Sequence, residues 1–345
     1  MRCLPASKVP LAQGRCLHDW HAEVVALRAF NHFLVQECAL LLYSGDHTFR
    51  IVQRDDAEES HEGAWRKFSI RDDIRIHMYC SEAPCGDASM ELTMNSQQDA
   101  TPWAVTSSAA LLSGRGHFSQ LGIVRRKPAR SDAPVTLSKS CSDKLALKQC
   151  TSILSSLSNL LLSPRNAYLH QLVLSASQHV REATSRSFGQ HGRMSSLVAD
   201  HKHMQRQWPK EFEFRPFRIS STTAEFEYSR RIAGRKTPSK GSNIAVVWTP
   251  HLQEVLIGGS VQGHKQMSLR GASALSRLRM WQAVLRVAEA AAMPLLAAAL
   301  QQPNYAKIKA LNELEGRRRV KQEVTALALQ TWIRNEKDED FVIEQ

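Results

Sequence analysis

Three groups of residues, far apart in the chain, have the types needed for a metal centre with a proton carrier beside it. His21 and Glu23 are separated by one residue, Cys85 follows Pro84, and Cys141 lies within Ser140-Cys141-Ser142-Asp143-Lys144. One imidazole nitrogen and two thiolate sulfurs would fill three positions of a tetrahedral zinc and leave the fourth for water. Glu23, two residues beyond a ligand, could reach that water without binding the ion. A carboxylate so placed can take the water's proton and pass protons on to a reacting group. Taken singly, His21 reads as a satisfied histidine at a helix end, and the cysteines as small buried hydrophobes. The long separations mean that the set can meet only through folding.

The surrounding pattern places each ligand at the edge of an element. From Ala22 to Leu42, Val24, Leu27, Phe30, Leu34, Cys38 and Leu41 recur at helical spacing, with Asp19 as candidate N-cap. Ile74, Ile76, Met78 and Cys80 alternate as in a strand. Pro84 suits a first helical turn, which would put Cys85 at a helix start, where a thiol is more acidic. Cys141 precedes a run with Leu145, Cys150, Ile153, Leu154 and Leu157 at helical spacing. Further strands are expected over 167–174, 212–219, 242–248 and 254–257, and helices over 272–301 and about 307–332. The segments 44–72 and 220–241 read as loops or insertions.

The chain has 345 residues and a net charge of +12, which favours a polyanionic partner, most often nucleic acid. Seven cysteines, odd in number and irregular in spacing, argue for reduced thiols rather than a disulfide framework, and so for an intracellular place, nucleus or cytoplasm. No run looks long enough to span a membrane; the best candidate, 290–300, is short and contains Pro294. No secretory signal and no obligate protein partner are indicated.

The flanks of the ligands carry a resemblance. His21-Ala22-Glu23, Pro84-Cys85-Gly86-Asp87-Ala88 and Ser140-Cys141-Ser142-Asp143-Lys144 resemble the RNA-editing adenosine deaminases, with Ala88 where cytidine deaminases have a second cysteine. The stretch Lys127-Pro128-Ala129-Arg130-Ser131-Asp132 is similar to the tRNA-specific branch, and to its fungal members. The resemblance implies one domain over 1–345 with a cytidine-deaminase-like α/β fold: a mixed central sheet, helices on both faces, and a C-terminal helical portion. It implies zinc on His21, Cys85 and Cys141, with Glu23 as proton shuttle. It implies inositol hexakisphosphate near Arg28, Lys144, Arg277, Lys309, Lys321 and Trp332, with Leu27 and Leu147 where messenger-RNA editors have arginines. It implies RNA contacts by Arg2, Arg126, Lys127 and Arg130. The expected reaction is hydrolytic deamination of adenosine to inosine at position 37 of an alanine tRNA. Family members usually have a further strand and helix before Met1. The alternative expectation is therefore a zinc-containing RNA-binding protein without activity.

Overall fold

The computed structural model describes residues 2–43, 50–55, 65–96, 101, 120–127, 134–199, 208–229, 242–334, 339 and 341–343. The fold is α/β, and its described strands form three sheets. Strands β1 (Val52–Arg54) and β2 (Phe68–Ile70) pair antiparallel. Strands β3 (Ile76–Cys80), β4 (Leu169–Ser175) and β5 (Arg218–Thr222) form a parallel sheet, with Met78 opposite Leu172 and Leu172 opposite Ile219. Strands β6 (Ile244–Thr249), β7 (Leu252–Ile257) and β8 (Ser260–Val261) form an antiparallel meander.

Helix α1 (Ala22–Tyr43) starts where the His21 carbonyl accepts the Val25 N–H. It packs against β1 and β6 and against two helices, α4 (Ser158–Leu161) and α7 (Arg277–Ala290). By length and composition α1 could cross a membrane, contrary to the sequence expectation; here its Leu34, Val35 and Cys38 are fully buried in the protein core. The same core takes Leu145 and Cys150 of α3 (Cys141–Thr151), Leu172 and Leu174 of β4, and Val284 of α7. It also takes Val320 and Val324 of α10 (Glu315–Leu327). Burying such side chains contributes roughly 1.5–3 kcal/mol each.

Several sequence expectations need correction. The segment 44–72 is not loop throughout: it contributes β1 and β2, whose Phe68 and Ile70 are completely buried. Strands of three residues are too short to show alternation. The reading of 220–241 as a loop fails at its start, where β5 runs to Thr222, and the strand expected over 212–219 begins only at Arg218. The long helix over 272–301 is two helices, α7 and α8 (Pro294–Leu300), parted at Ala292 with φ +50°. Pro294 sits in the first turn of α8, where its missing N–H costs nothing. The last helix is likewise divided, into α9 (Tyr305–Ala310) and α10.

Cys85 is not in a helix either. It stands in the turn that follows β3, ahead of a 3-10 turn (Asp87–Ser89) and α2 (Met90–Asn95). Helix α3 does start at Cys141. Ser140 caps it reciprocally: its Oγ accepts the Asp143 N–H, and the Asp143 carboxylate accepts the Ser140 N–H. The two cysteine-bearing turns touch. The Ser142 N–H donates to the Cys85 carbonyl at 3.0 Å, and the Ser142 hydroxyl accepts the Ala88 N–H at 3.1 Å.

Gly86 makes this contact possible. Its φ is +103°, and a Cβ there would lie 2.2 Å from Ser140 Oγ. Gly86→Ala is expected to lose about 1–3 kcal/mol from backbone strain, with a further loss from the clash. Urea denaturation of the two proteins measures it, and an unchanged midpoint would refute this account.

Candidate metal and proton-transfer site

The N-terminal segment returns alongside the start of α1. Cys3 bridges Asp19 in antiparallel register, and the Leu4 N–H donates to the His18 carbonyl. This brings Cys3, Asp19 and His21 together, with one donor atom of each within 4.8 Å of the others. Cys3 Sγ is 3.7 Å from His21 Nδ1, and Asp19 Oδ1 is 2.7 Å from the same nitrogen. Asp19 lies three residues ahead of the first residue of α1, and its Oδ1 also accepts the His21 N–H at 3.1 Å, so the expected capping carboxylate serves the residue just before the helix. It orients the imidazole, as a carboxylate behind a metal-bound histidine does.

The other Asp19 oxygen gathers cations. Oδ2 accepts from Lys127 Nζ at 2.8 Å, from Ser138 Oγ at 2.9 Å, and from Lys144 Nζ. Burial alone would raise the Asp19 pKa, but the Lys127 and Lys144 ammoniums, then His21, hold it well below the usual range. Lys127 Nζ also lies 3.2 Å from Cys141 Sγ. Burial opposes its charge, and Asp19 followed by the thiols of Cys141, Cys85 and Cys3 raises its pKa well above normal. Lys127 is therefore not a surface RNA contact. It is 5% exposed and spent on Asp19 and Cys141.

Cys85 and Cys141 form the sulfur half of the site. Cys85 Sγ accepts the Cys141 N–H at 3.4 Å. A hydrogen bond from the Cys141 thiol, opposed by burial and helped by Lys127 and His21, lowers Cys85 to about 6. Burial and Cys85 itself push Cys141 up. Both Cys85 and Cys141 feel the Glu23 charge as well. Among the described residues the close group of metal-type donor atoms is Cys3, Asp19 and His21, and the Cys85 and Cys141 thiols stand outside it. Burial and Lys127 oppose a proton on His21, while Asp19 and Cys3 raise it to about 10. A metal ligand must be neutral imidazole. With Nδ1 held by Asp19, Nε2 is the nitrogen left to bind. One nitrogen and two sulfurs, with a positive neighbour favouring thiolate, suit zinc.

Beside this centre lies a cavity of about 340 Å³ whose lining includes Arg28, Lys144, Arg277, Lys309, Lys321 and Trp332, all six expected from the sequence. Leu27 and Leu147 line it too. The sequence reading missed Lys139 and Lys148. Lys139 and Lys321 stack over the Trp332 ring at 5.3 and 5.8 Å. Lys148 donates to the Ile153 and Leu154 carbonyls. Burial, then Arg317, Lys321 and Arg28, depress its pKa strongly. Burial, then Lys309 and Arg317, lower Lys321 to about 8. Cations crowded to this degree suit a polyanion.

Of the remaining expected residues, Arg2 is half-buried, and its Nε donates to the Ser242 carbonyl at 2.6 Å. Arg126 is half-buried in an antiparallel bridge with Lys139. Arg130 lies outside the described residues.

A family model for the adenosine-deaminase (editase) domain matches residues 1–336. The tRNA-specific adenosine deaminase 1 of Schizosaccharomyces pombe is 39% identical over 250 residues, 72% of this chain and 60% of that protein. Its namesake from Saccharomyces cerevisiae is 32% identical over 184 residues, 50% of this chain and 44% of that one. The double-stranded RNA-specific editase B2 of Mus musculus is 30% identical over 188 residues, 48% of this chain and 23% of that one. The match to the two fungal relatives thus spans about half of their length.

Asp19 tests the electrostatics of the site. Asp19→Asn leaves the Lys127 ammonium buried without its carboxylate, a loss expected at about 3–5 kcal/mol in urea denaturation at neutral pH. The depressed Asp19 pKa means that its contribution is fully present above the unfolded value, about 3.9, and fades as pH falls through the folded value. The variant's deficit should therefore shrink in strong acid; a deficit independent of pH would contradict the ion cluster.

Proposed function

The chain belongs to the adenosine-deaminase (editase) family, and from that premise we propose that it hydrolyses adenosine to inosine in tRNA, at position 37 of an alanine tRNA. The observation that carries the reading is a chain of contacts between distant segments: the Cys141 N–H donates to Cys85 Sγ, Lys127 joins Cys141 Sγ to Asp19, and Asp19 holds the His21 imidazole. The names of the fungal relatives supply the substrate class, and the +12 charge suits it. The base must leave its stack to reach the site, which costs less in a loop than in a duplex.

His21 Nε2, Cys85 Sγ and Cys141 Sγ would hold zinc, which when bound would lower the pKa of a water so that hydroxide is available near neutral pH. The protein's own residues do the rest. Asp19 keeps His21 in the tautomer with Nδ1–H. Lys127 favours thiolate at Cys141. Glu23, in the first turn of α1, takes the water's proton and delivers protons to N1 and to the departing amino group. Inosine measured in an alanine-tRNA transcript tests this. Wild type is expected to form it, and Glu23→Ala to be slowed about 100-fold or more. Equal, background-level inosine from both would overturn the proposal and leave the RNA-binding reading.

The basic cavity supports inositol hexakisphosphate as the second bound group. Its lining cations would regain ordinary pKa values against phosphates, and Trp332 fixes the ammonium heads of Lys139 and Lys321 from one side. Acid extraction of the purified protein should release one such molecule per chain. A chain that carries none, and whose melting temperature is insensitive to added inositol hexakisphosphate, would rule this out.

A further inference from the structure

Each of the three ligands proposed above stands two residues from a buried aspartate, and each aspartate is paired with a cation from another segment. Asp19 belongs to Lys127. Asp87 follows Cys85 and Asp143 follows Cys141, and both of these carboxylates are completely enclosed. Asp87 accepts from Arg186 Nε at 3.2 Å and from Ser187 Oγ at 2.8 Å. Asp143 accepts from a guanidinium nitrogen of Arg193 at 2.5 Å.

The two arginines lie on one hydrogen-bonded turn. Arg186 is in the last turn of α5 (Arg181–Phe188), and the chain turns back so that the Arg193 N–H donates to the Arg186 carbonyl at 2.9 Å. Arg193 Nε donates to the Ser187 carbonyl at 2.9 Å, and Arg193 is 3% exposed in its side chain. Gly192 permits this closeness, since a Cβ there would meet the Arg186 carbonyl oxygen at 2.3 Å. The aspartates share a second tie. Asp87 accepts the Gly122 N–H at 2.8 Å and Asp143 accepts the Arg125 N–H at 3.0 Å, both from one four-residue stretch.

We propose that Arg186 and Arg193 are positioning residues which fix the two cysteine-bearing turns against each other and thereby set the spacing of the two thiolates at the metal. This rests on the reading of Cys85 and Cys141 as zinc ligands. Neither arginine bonds to a thiol; each grips a carboxylate two residues along the same turn. The Ser142–Cys85 contacts hold the turns edge to edge, and the paired ion bonds oppose rotation of one about the other. Groups that orient ligands in this way change metal affinity by about 10–100-fold when removed.

The test uses the full chain loaded with cobalt in place of zinc, read by chelator competition, by the thiolate-to-cobalt absorption band, and by circular dichroism. Arg193→Met combined with Asp143→Asn removes both charges, so that no ion is left buried alone. It is expected to bind cobalt about 10–100-fold more weakly, with a shifted band and a retained fold. Arg193→Lys keeps the charge against Asp143 and is expected to fall between that variant and wild type. Affinity and band equal to wild type in both would overturn the proposal. If the double variant does not fold, Arg193→Lys decides alone, and a wild-type band and affinity in it overturn the proposal. A wild-type chain without any thiolate-to-cobalt band overturns the zinc reading itself, and this inference with it.

Discussion

Asp19 carries three hydrogen-bonded partners on one oxygen and the His21 imidazole on the other, in a position nearly closed to water. An isolated carboxylate there would be neutral, and Lys127 alone would be deprotonated. Together they are charged, and the pair fixes segments more than a hundred residues apart. Lys127 reaches from Asp19 to Cys141 Sγ, so one ammonium ties the orientation of the histidine to the ionisation of a thiol. The imidazole of His21 and the thiol of Cys141 thus belong to one electrostatic unit.

The same cluster also faces the basic cavity. Asp19 and Lys144 line it, and Lys144 donates to Asp19 and to Ser138. A polyanion there would act on Lys144 by direct Coulomb attraction and on Asp19 through it. The depressed pKa values of Lys148 and Lys321 follow from burial and mutual repulsion, which Glu339 opposes only in part at Lys321. Helices α1, α3, α7, α9 and α10 all contribute lining residues, so the cavity is where distant parts of the chain are brought together by charge as well as by packing.

The corrections to the sequence reading have a common cause. Asp19 carries the short polar side chain of a helix cap, and local rules placed it there; one of its oxygens does serve the nearby His21, but the other takes partners at 127, 138 and 144. Lys127 sits in a basic run that reads as an RNA-facing surface, yet one member of the run is buried and its neighbour Arg126 half-buried. Strands β1 and β2 are three residues each, and only their pairing reveals them. The helix breaks at Ala292 and between α9 and α10 interrupt apolar patterns that continue across them.

What the sequence determined by itself was short in range. Ser140 and Asp143 cap α3 within four residues, the apolar spacing of α1 sets which face is buried, and the short motifs around His21, Glu23, Cys85 and Cys141 carry the likeness to the family. These depend on neighbours a few positions away, so they are legible without a fold. The tertiary structure alone decided which nitrogen of His21 is held, that Cys3 joins the site, that Lys127 belongs to Asp19, and that Arg186 and Arg193 grip the two cysteine turns. Each of these is a pairing between charged or hydrogen-bonding groups enclosed away from water. Such pairings are fixed by which segments burial brings together, and no local pattern encodes that.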